Sequence, residues 1–198
     1  MGRSPLSGWP VLRRLRRAGL ATSSFGYAVT WAGFEAIRRR LVERIVVLAA
    51  AGDYALVGHS LGGVLIRAAA NSLPPGTRLP RHVFLLGSPQ EPARLARRLA
   101  AHPVFRALTR DCGQLLGSAP RMAAVGALTV PTTSIVGTSG PRGAGAFRGE
   151  ANDGIVALAE VSAEWLTDQV ELPVLHTLLP MSSAVARVIL ARLARGPS

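Results

Sequence analysis

A glycine-rich turn between a short apolar segment and a helical segment constrains this chain more than any other feature. Residues 54–57 are Tyr-Ala-Leu-Val, which predicts a buried strand, and Gly-His-Ser-Leu-Gly-Gly follows at 58–63. Small and apolar residues then continue at helical spacing over 61–71. Gly58 and Gly62 are expected to be needed because the strand and the helix pass too closely there for a Cβ atom. The motif therefore predicts a strand–turn–helix unit in which Ser60 has a strained backbone.

Segments of strand-like and helix-like character alternate along the rest of the chain. The predicted strands are residues 22–29, 54–58, 82–86, 132–136 and 170–175, and the predicted helices are residues 10–18, 34–48, 61–71, 91–101 and 182–193. This alternation is typical of a parallel sheet covered by helices. A length of 198 residues suits a single domain spanning residues 1–198.

One segment between two predicted strands is less regular. Residues 103–130 predict two short helical pieces, broken at Gly113, Gly117, Pro120 and Gly126. We expect this segment to be a cap or insertion over a pocket.

The predicted turn would expose the hydroxyl group of Ser60 at the carboxyl end of the sheet. There it could act as a nucleophile, and the backbone N–H of Leu61, at the start of the helix, would donate to a developing oxyanion. We expect His59 to pack beside this site, with its side chain directed away from the turn. The alternative is a glycine-rich turn in which the serine is incidental.

A serine nucleophile needs a histidine base, and three histidines follow Ser60 in the chain. His82 begins a predicted strand and His102 ends an arginine-rich helix, so both are expected to be structural or exposed. His176 follows the last predicted strand, and a loop at that point returns over the carboxyl edge of the sheet. The sequence therefore predicts His176 as the general base; the alternative is a histidine in a surface loop.

The base needs a carboxylate to orient it, and the expected chain order is serine, acid, histidine. Asp111, Asp153 and Asp168 lie in the required interval. Asp153 belongs to an Asn-Asp-Gly turn, which can direct a carboxylate toward the loop of the next strand. Asp111 lies in a predicted helix and Asp168 in an exposed turn. We predict Asp153 as the acid, with Glu150 as the nearest substitute and an ordinary turn as the alternative.

Together, residues 58–63, 152–156 and 176–180 resemble the α/β-hydrolase superfamily, most closely its small bacterial esterases and lipases. These are related to triacylglycerol lipases and to the GPI-inositol-deacylase-like group, and the Gly-Ser-Pro turn at 87–89 also fits them. The resemblance implies an α/β-hydrolase fold, a mostly parallel sheet flanked by helices, N-terminally truncated. It implies hydrolysis of carboxylic esters through an acyl-enzyme on Ser60, with His176 as general base and Asp153 orienting it. An acyltransferase would use the same triad.

The chain departs from this family at its start. The family begins with an apolar strand ending in His-Gly, whose loop supplies a second oxyanion N–H, and no such strand is found here. Met-Gly-Arg-Ser at 1–4 resembles the residues just after that His-Gly, which would put Met1 at the oxyanion-hole position. Either the start site has been placed too late, which we favour, or the chain is a remnant that acts as an interaction module. In both cases the sheet is expected to have an unpaired edge.

The basic residues are all arginine, 23 of them against 11 acidic residues, and the net charge is +12. They form runs at 13–17, 38–44 and 94–98, on segments with helical periodicity, where a solvated face is the simplest interpretation. A basic surface attracts nucleic acid or anionic lipid. Aromatic residues are not interleaved with these runs, as base stacking would need. We therefore expect no nucleic-acid partner and consider peripheral contact with an anionic membrane.

The sequence contains no metal-binding cluster, phosphate-binding loop or dinucleotide fingerprint, so no cofactor is predicted. A single cysteine, Cys112, excludes an internal disulfide. Apolar runs are far shorter than the ~20 residues of a membrane span, and a cytoplasmic location is expected. The expected substrate is a small ester or a lipid. Candidates for an apolar acyl site are Trp9, Trp31, Phe105, Leu115, Leu116 and Met122.

Overall fold

Four strands alternate with helices in the computed structural model, which describes residues 8–99, 102–141, 147 and 149–195, with the backbone alone at 103–106 and 108. The strands are β1 (Ala55–His59), β2 (His82–Leu86), β3 (Thr132–Gly137) and β4 (Asp168–Leu172). The helices are α1 (Trp9–Arg17), α2 (Phe34–Ala51), α3 (Leu61–Ala70), α4 (Arg94–Leu99), α5 (Pro103–Gly117), α6 (Ala119–Val125), α7 (Leu158–Val161) and α8 (Ser183–Leu193). A 3₁₀ segment between β4 and α8, His176–Met181, is called the His176 turn below.

The four strands form one parallel sheet in the order β1-β2-β3-β4. The predicted parallel sheet with flanking helices is therefore confirmed, and β2 has the predicted bounds. Because all the strands run in one direction, their carboxyl ends meet at the same edge of the sheet. That edge is where α/β proteins gather their functional side chains.

Strand β2 is buried on both faces, and its alternate residues divide the core into two layers. Val83 and Leu85 pack with residues of α2, α3, α5 and α6, whereas Phe84 and Leu86 pack with residues of α1 and α8. Successive side chains of a strand point to opposite faces, so a strand covered on both sides must be apolar throughout. The two helical layers therefore lie on opposite faces of the sheet.

The strand predicted at 22–29 is wrong, because residues 20–28 form neither helix nor strand. An extended segment becomes a strand only where a neighbouring strand supplies partners for its N–H and C=O groups. Within the described residues β1 pairs with β2 alone, so its other edge offers no ladder that reaches this segment. At that open edge the side chain of Val57 is 38% exposed.

The chain between β2 and β3 contains α4, α5 and α6, so the two helical pieces predicted in 103–130 are confirmed. The breaks expected at Gly113 and Pro120 are wrong, because Gly113 lies within α5 and Pro120 within the first turn of α6. Helix α5 bends instead at Arg110, which has φ 45° and ψ −133°. At this bend the Arg110 guanidinium donates to the Thr30 carbonyl at 2.9 Å, and the carboxylate of Asp111 accepts the N–H of Phe34 at 3.0 Å. The bend thus lets Asp111 cap the start of α2. A role for 103–130 as a cap over a pocket stays a prediction.

Candidate active site

The turn after β1 has the strained backbone that its sequence predicts. Ser60 has φ 55° and ψ −127°, between the end of β1 and the first residue of α3. A residue with a Cβ atom rarely adopts a positive φ, and such strain is concentrated at functional sites. The turn places residue 60, which is half-buried, at the carboxyl edge of the sheet.

Gly58 and Gly63 set how closely α3 approaches the sheet; the close approach predicted at Gly62 is wrong, because a Cβ atom there would be in ordinary van der Waals contact only. A Cβ atom built on Gly58 would lie 2.5 Å from the Cα atom of Gly63, and one built on Gly63 would lie 2.6 Å from the Cβ atom of Ser88. Real Cβ atoms do not reach such distances, so both positions require glycine. These contacts determine the direction in which α3 leaves the turn.

Asp153 and His176 form a buried hydrogen-bonded pair. The Nδ1 atom of His176 donates to Oδ2 of Asp153 over 2.7 Å, and the two residues are 5% and 1% exposed. Because Nδ1 carries the proton in this bond, Nε2 of a neutral ring is the acceptor. The pair thus has the arrangement in which a carboxylate selects the tautomer of a base.

The other groups of Asp153 are held by its own turn and by the His176 backbone. Its Oδ1 atom accepts the N–H groups of Ile155 at 3.0 Å and Val156 at 2.9 Å. Its carbonyl oxygen accepts the N–H of His176 at 2.9 Å. The carboxylate is therefore fixed at both oxygens, and His176 is bonded to Asp153 through backbone as well as side chain.

Gly87 connects this pair to the serine turn. Ser60 donates its N–H to the carbonyl of Leu86 at 2.9 Å, and Gly87 follows at the end of β2 with φ 51°. A Cβ atom built on Gly87 would lie 2.9 Å from both Oδ2 of Asp153 and Nδ1 of His176. The serine turn and the Asp153–His176 pair thus contact adjacent residues, Leu86 and Gly87, at the carboxyl end of β2, where the glycine leaves room for the pair.

The side chain of His59 lies against His176, which corrects the expectation that it is directed away from the site. The two ring centroids are 4.6 Å apart, with the planes inclined at 57°. The Nε2 atom of His59 lies 2.9 Å from the carbonyl oxygen of His176 and donates to it. The expectation that His59 packs beside the site is confirmed. Its contact with His176 depends on how the His176 turn packs against the end of β1, which the local sequence does not show.

The other candidate histidines lie elsewhere. His82, at the start of β2, contacts Thr133 Oγ1 at 2.8 Å and stacks on Phe84, at the opposite end of the strand from the serine turn. Burial, with a smaller contribution from Arg192, lowers the pKa of His82. His102 is exposed, immediately before α5. Both are structural or exposed, as expected.

The alternative carboxylates are occupied by arginines. Glu150 forms a bidentate pair with Arg94, at 2.9 and 2.7 Å, and the arginine lowers the pKa of Glu150. Asp168, the first residue of β4, pairs with Arg192 at 2.7 Å. Asp111 caps α2, as described above, so Asp153 alone among the predicted acids contacts His176.

Of the two predicted oxyanion donors, Leu61 lies within the described residues and Met1 does not. Leu61 is the first residue of α3, and the leading N–H groups of a helix have no partner within it. The hydroxyl group of Tyr27 lies near the start of α3, 3.5 Å from a Cβ atom built on Gly62. Nothing in the sequence pattern points to Tyr27, because it lies in the strand predicted at 22–29, which does not form.

The candidates for an apolar acyl site separate into three groups. Leu115, Leu116 and Met122 are buried in the core layer of α2 and α3. Trp9 and Trp31 are 45% and 87% exposed. The side chain of Phe105 lies outside the described part of the chain.

The described part of the chain contains neither a cluster of metal-ligating side chains nor a helix that could span a membrane. In residues 8–99, 102–141, 147 and 149–195, no three His, Cys, Asp or Glu side chains converge as a metal site would require. Over the same ranges, every helix is too short or too polar to span a bilayer.

No protein-family model matches the chain, and no curated protein matches it either. Several solved structures, however, are similar to the chain in fold. Tomato methylketone synthase I, complexed with 2-tridecanone, is 14% identical with a TM-score of 0.64, over 98% of this chain and 95% of that one. A hydrolase of the alpha/beta superfamily from Xanthomonas campestris pv. campestris is 15% identical with a TM-score of 0.61, over 96% and 90%. The Bacillus licheniformis lipase BlEst2 is 12% identical with a TM-score of 0.57, over 96% and 87%. With its parallel sheet and flanking helices, the chain has the α/β-hydrolase fold.

Proposed function

We propose that this protein is a serine hydrolase that cleaves carboxylic esters, with Ser60 as nucleophile, His176 as general base and Asp153 as the residue that orients the base. The observation that supports it most strongly is the 2.7 Å bond between buried Asp153 and His176, beside the glycine that adjoins the strained turn at Ser60. Nothing in the sequence near Asp153 or His176 would by itself bring the two side chains together beside the serine turn. Such a pair is the arrangement that activates a serine.

In the proposed reaction, Nε2 of His176 takes the proton of the Ser60 hydroxyl as its oxygen attacks the ester carbonyl carbon. The C–O bond to the alcohol then breaks, and the leaving alkoxide receives that proton from His176. Water attacks the resulting acyl-enzyme with His176 again as base. The acid is released and the Ser60 hydroxyl is restored.

The negative charge that develops on the carbonyl oxygen needs a donor placed before the reaction starts. The backbone N–H of Leu61, at the start of α3, is the proposed donor, and the helix dipole favours an anion there. The Leu61 side chain is buried, which holds the backbone in place. Loss of one such donor costs roughly 10²–10³ in rate.

The experiment is covalent labelling with a fluorophosphonate, together with turnover of a short p-nitrophenyl ester. We expect the purified chain to be labelled at Ser60, and the Ser60→Ala and His176→Ala variants to lose turnover. Asp153→Asn should lower kcat by a factor of about 10⁴, because the amide stabilises the wrong tautomer of His176. Asp168→Asn is the matched control, since that carboxylate pairs with Arg192.

A folded chain that is not labelled at Ser60 would overturn the proposal. It would favour the second candidate, a remnant that acts as an interaction module. The open edge of β1, next to the serine turn, is the observation that favours this candidate. An acyltransferase would be labelled as well, but would transfer the acyl group to an added alcohol in preference to water.

A further inference from the structure

The turn that contains the proposed base also exposes a row of apolar side chains. Leu175, Leu178 and Met181 are 40%, 46% and 43% exposed. Leu178 and Met181 are three residues apart in the 3₁₀ segment, so they fall on one side of it, and Leu175 immediately precedes the segment. His176 and Leu179, on the other side of the same turn, are buried. The outer side of the His176 turn is therefore an apolar stripe at the rim of the candidate site.

A strongly basic helix borders this stripe. Helix α1 contains Arg13, Arg14, Arg16 and Arg17 and no acidic residue. Arg14 donates from a terminal nitrogen to the carbonyl oxygen of Met181 over 3.3 Å, which joins the helix to the end of the stripe. Among the described residues, no carboxylate forms an ion pair with α1.

The outer face of α1 also exposes an aromatic ring. Val11 and Leu15 are buried toward α8, so Trp9 and Arg13 face outward. The guanidinium of Arg13 lies over the Trp9 ring, 5.1 Å from its centroid. An exposed tryptophan next to arginines and aliphatic side chains is the composition of a surface that lies in the headgroup region of a bilayer.

We propose that the outer faces of α1 and the His176 turn form one docking surface for an anionic lipid bilayer. Charge complementarity commits the surface to anionic lipid, and Leu175, Leu178 and Met181 would enter the acyl boundary. Exposed aliphatic side chains would not contribute to binding a nucleic acid, which is recognised through charge and base stacking on aromatic rings. If the proposed function holds, docking would bring an amphiphilic ester to the Ser60 site.

The test is co-sedimentation of the full chain with vesicles, which requires no turnover. We expect binding to equimolar phosphatidylcholine and phosphatidylglycerol, little binding to phosphatidylcholine alone, and weaker binding above ~0.15 M salt. The double variant Arg13→Gln, Arg17→Gln should bind about thirty-fold more weakly, because two charges are lost near the surface. Leu178→Ser should bind roughly tenfold more weakly, since it removes an aliphatic group that the bilayer would bury.

The matched control is Arg39→Gln, Arg44→Gln on α2, which removes the same charge from the opposite face of the sheet. Circular dichroism checks that all variants fold. Equal binding to both vesicles, or equal weakening by the two double variants, would overturn the proposal. Binding to an oligonucleotide but not to vesicles would overturn it too. Ser60→Ala should bind vesicles like the parent, so a failure of the ester-hydrolase proposal stays distinguishable from a failure of docking.

Discussion

His59 donates a hydrogen bond from Nε2 to the carbonyl oxygen of His176 over 2.9 Å, and the two rings are in contact. His176 is thus held at three atoms: its N–H by the Asp153 carbonyl, its Nδ1 by the Asp153 carboxylate and its carbonyl by His59. Because His59 immediately precedes Ser60, this bond links the strained turn directly to the loop of the proposed base. We interpret His59 as a positioning residue.

Replacing His59 tests this interpretation. His59→Ala should lower kcat for a soluble ester by roughly 10- to 100-fold, with a smaller change in KM, because a small displacement of the base slows proton transfer. His59→Gln, whose amide can donate to the same carbonyl, should recover part of the loss. Rates are normalised to the fraction of sites that a fluorophosphonate titrates. An unchanged kcat per titrated site in His59→Ala would contradict the interpretation.

The backbone strain at Ser60 should be measurable as stability. The conformation of residue 60, φ 55° and ψ −127°, is unfavourable in free energy for any residue with a Cβ atom and much less so for glycine. Ser60→Gly should therefore have a free energy of unfolding about 1 kcal/mol higher than Ser60→Ala, as measured by urea unfolding. The alanine variant is the control for loss of the hydroxyl. Equal stabilities would mean that the turn stores no strain.

Gly87 should tolerate substitution less well than another glycine of positive φ. Gly87→Ala would press a methyl group on Asp153 and His176, whereas Gly76→Ala, at φ 80°, meets nothing within 4 Å. We expect Gly76→Ala to cost about 1 kcal/mol, from the backbone alone. Gly87→Ala should cost about 2–4 kcal/mol and also reduce ester turnover. Thermal unfolding and activity of both variants would test this, and equal losses of stability would contradict it.

His82 should make the protein less stable in mild acid. Burial lowers its pKa below the ordinary 6.5, so the unfolded chain takes up the proton first as the pH falls. The free energy of unfolding should therefore decrease as the pH falls below about 6.5, and level off once the folded state is also protonated. His82→Gln should show a smaller decrease in urea unfolding between pH 7.5 and 5. His102→Gln, at an exposed position, is the control, and identical slopes in parent and His82→Gln would contradict the assignment.

Much of the fold was predictable because the relevant signals are local. The apolar run at 82–86 and the glycines around Ser60 predict a buried strand and a sharp turn, and both form. The failure at 22–29 has an equally physical cause. Alternation of side chains describes one strand, but a strand exists only with a partner, and no partner is described beside β1 on that side.

The site was predictable in its residue types and less so in its contacts. Asp153 was preferred over Glu150 and Asp168 from turn geometry, and the structure pairs those two with Arg94 and Arg192. The contact of His59 with His176, and the proximity of Tyr27 to the turn, depend on how separate segments pack. No local pattern contains that information.

The amino-acid sequence by itself determined the bend at Ser60 and the buried character of its strands, since backbone strain, close approach at glycine and side-chain alternation act over a few residues. Only the tertiary structure decided which carboxylate meets which imidazole. Asp153 and His176 are separated by 23 positions, and their contact depends on the positions of β3 and β4 in the sheet. The physical reason is that loop closure and packing, rather than local preference, fix the separation of groups distant in the chain.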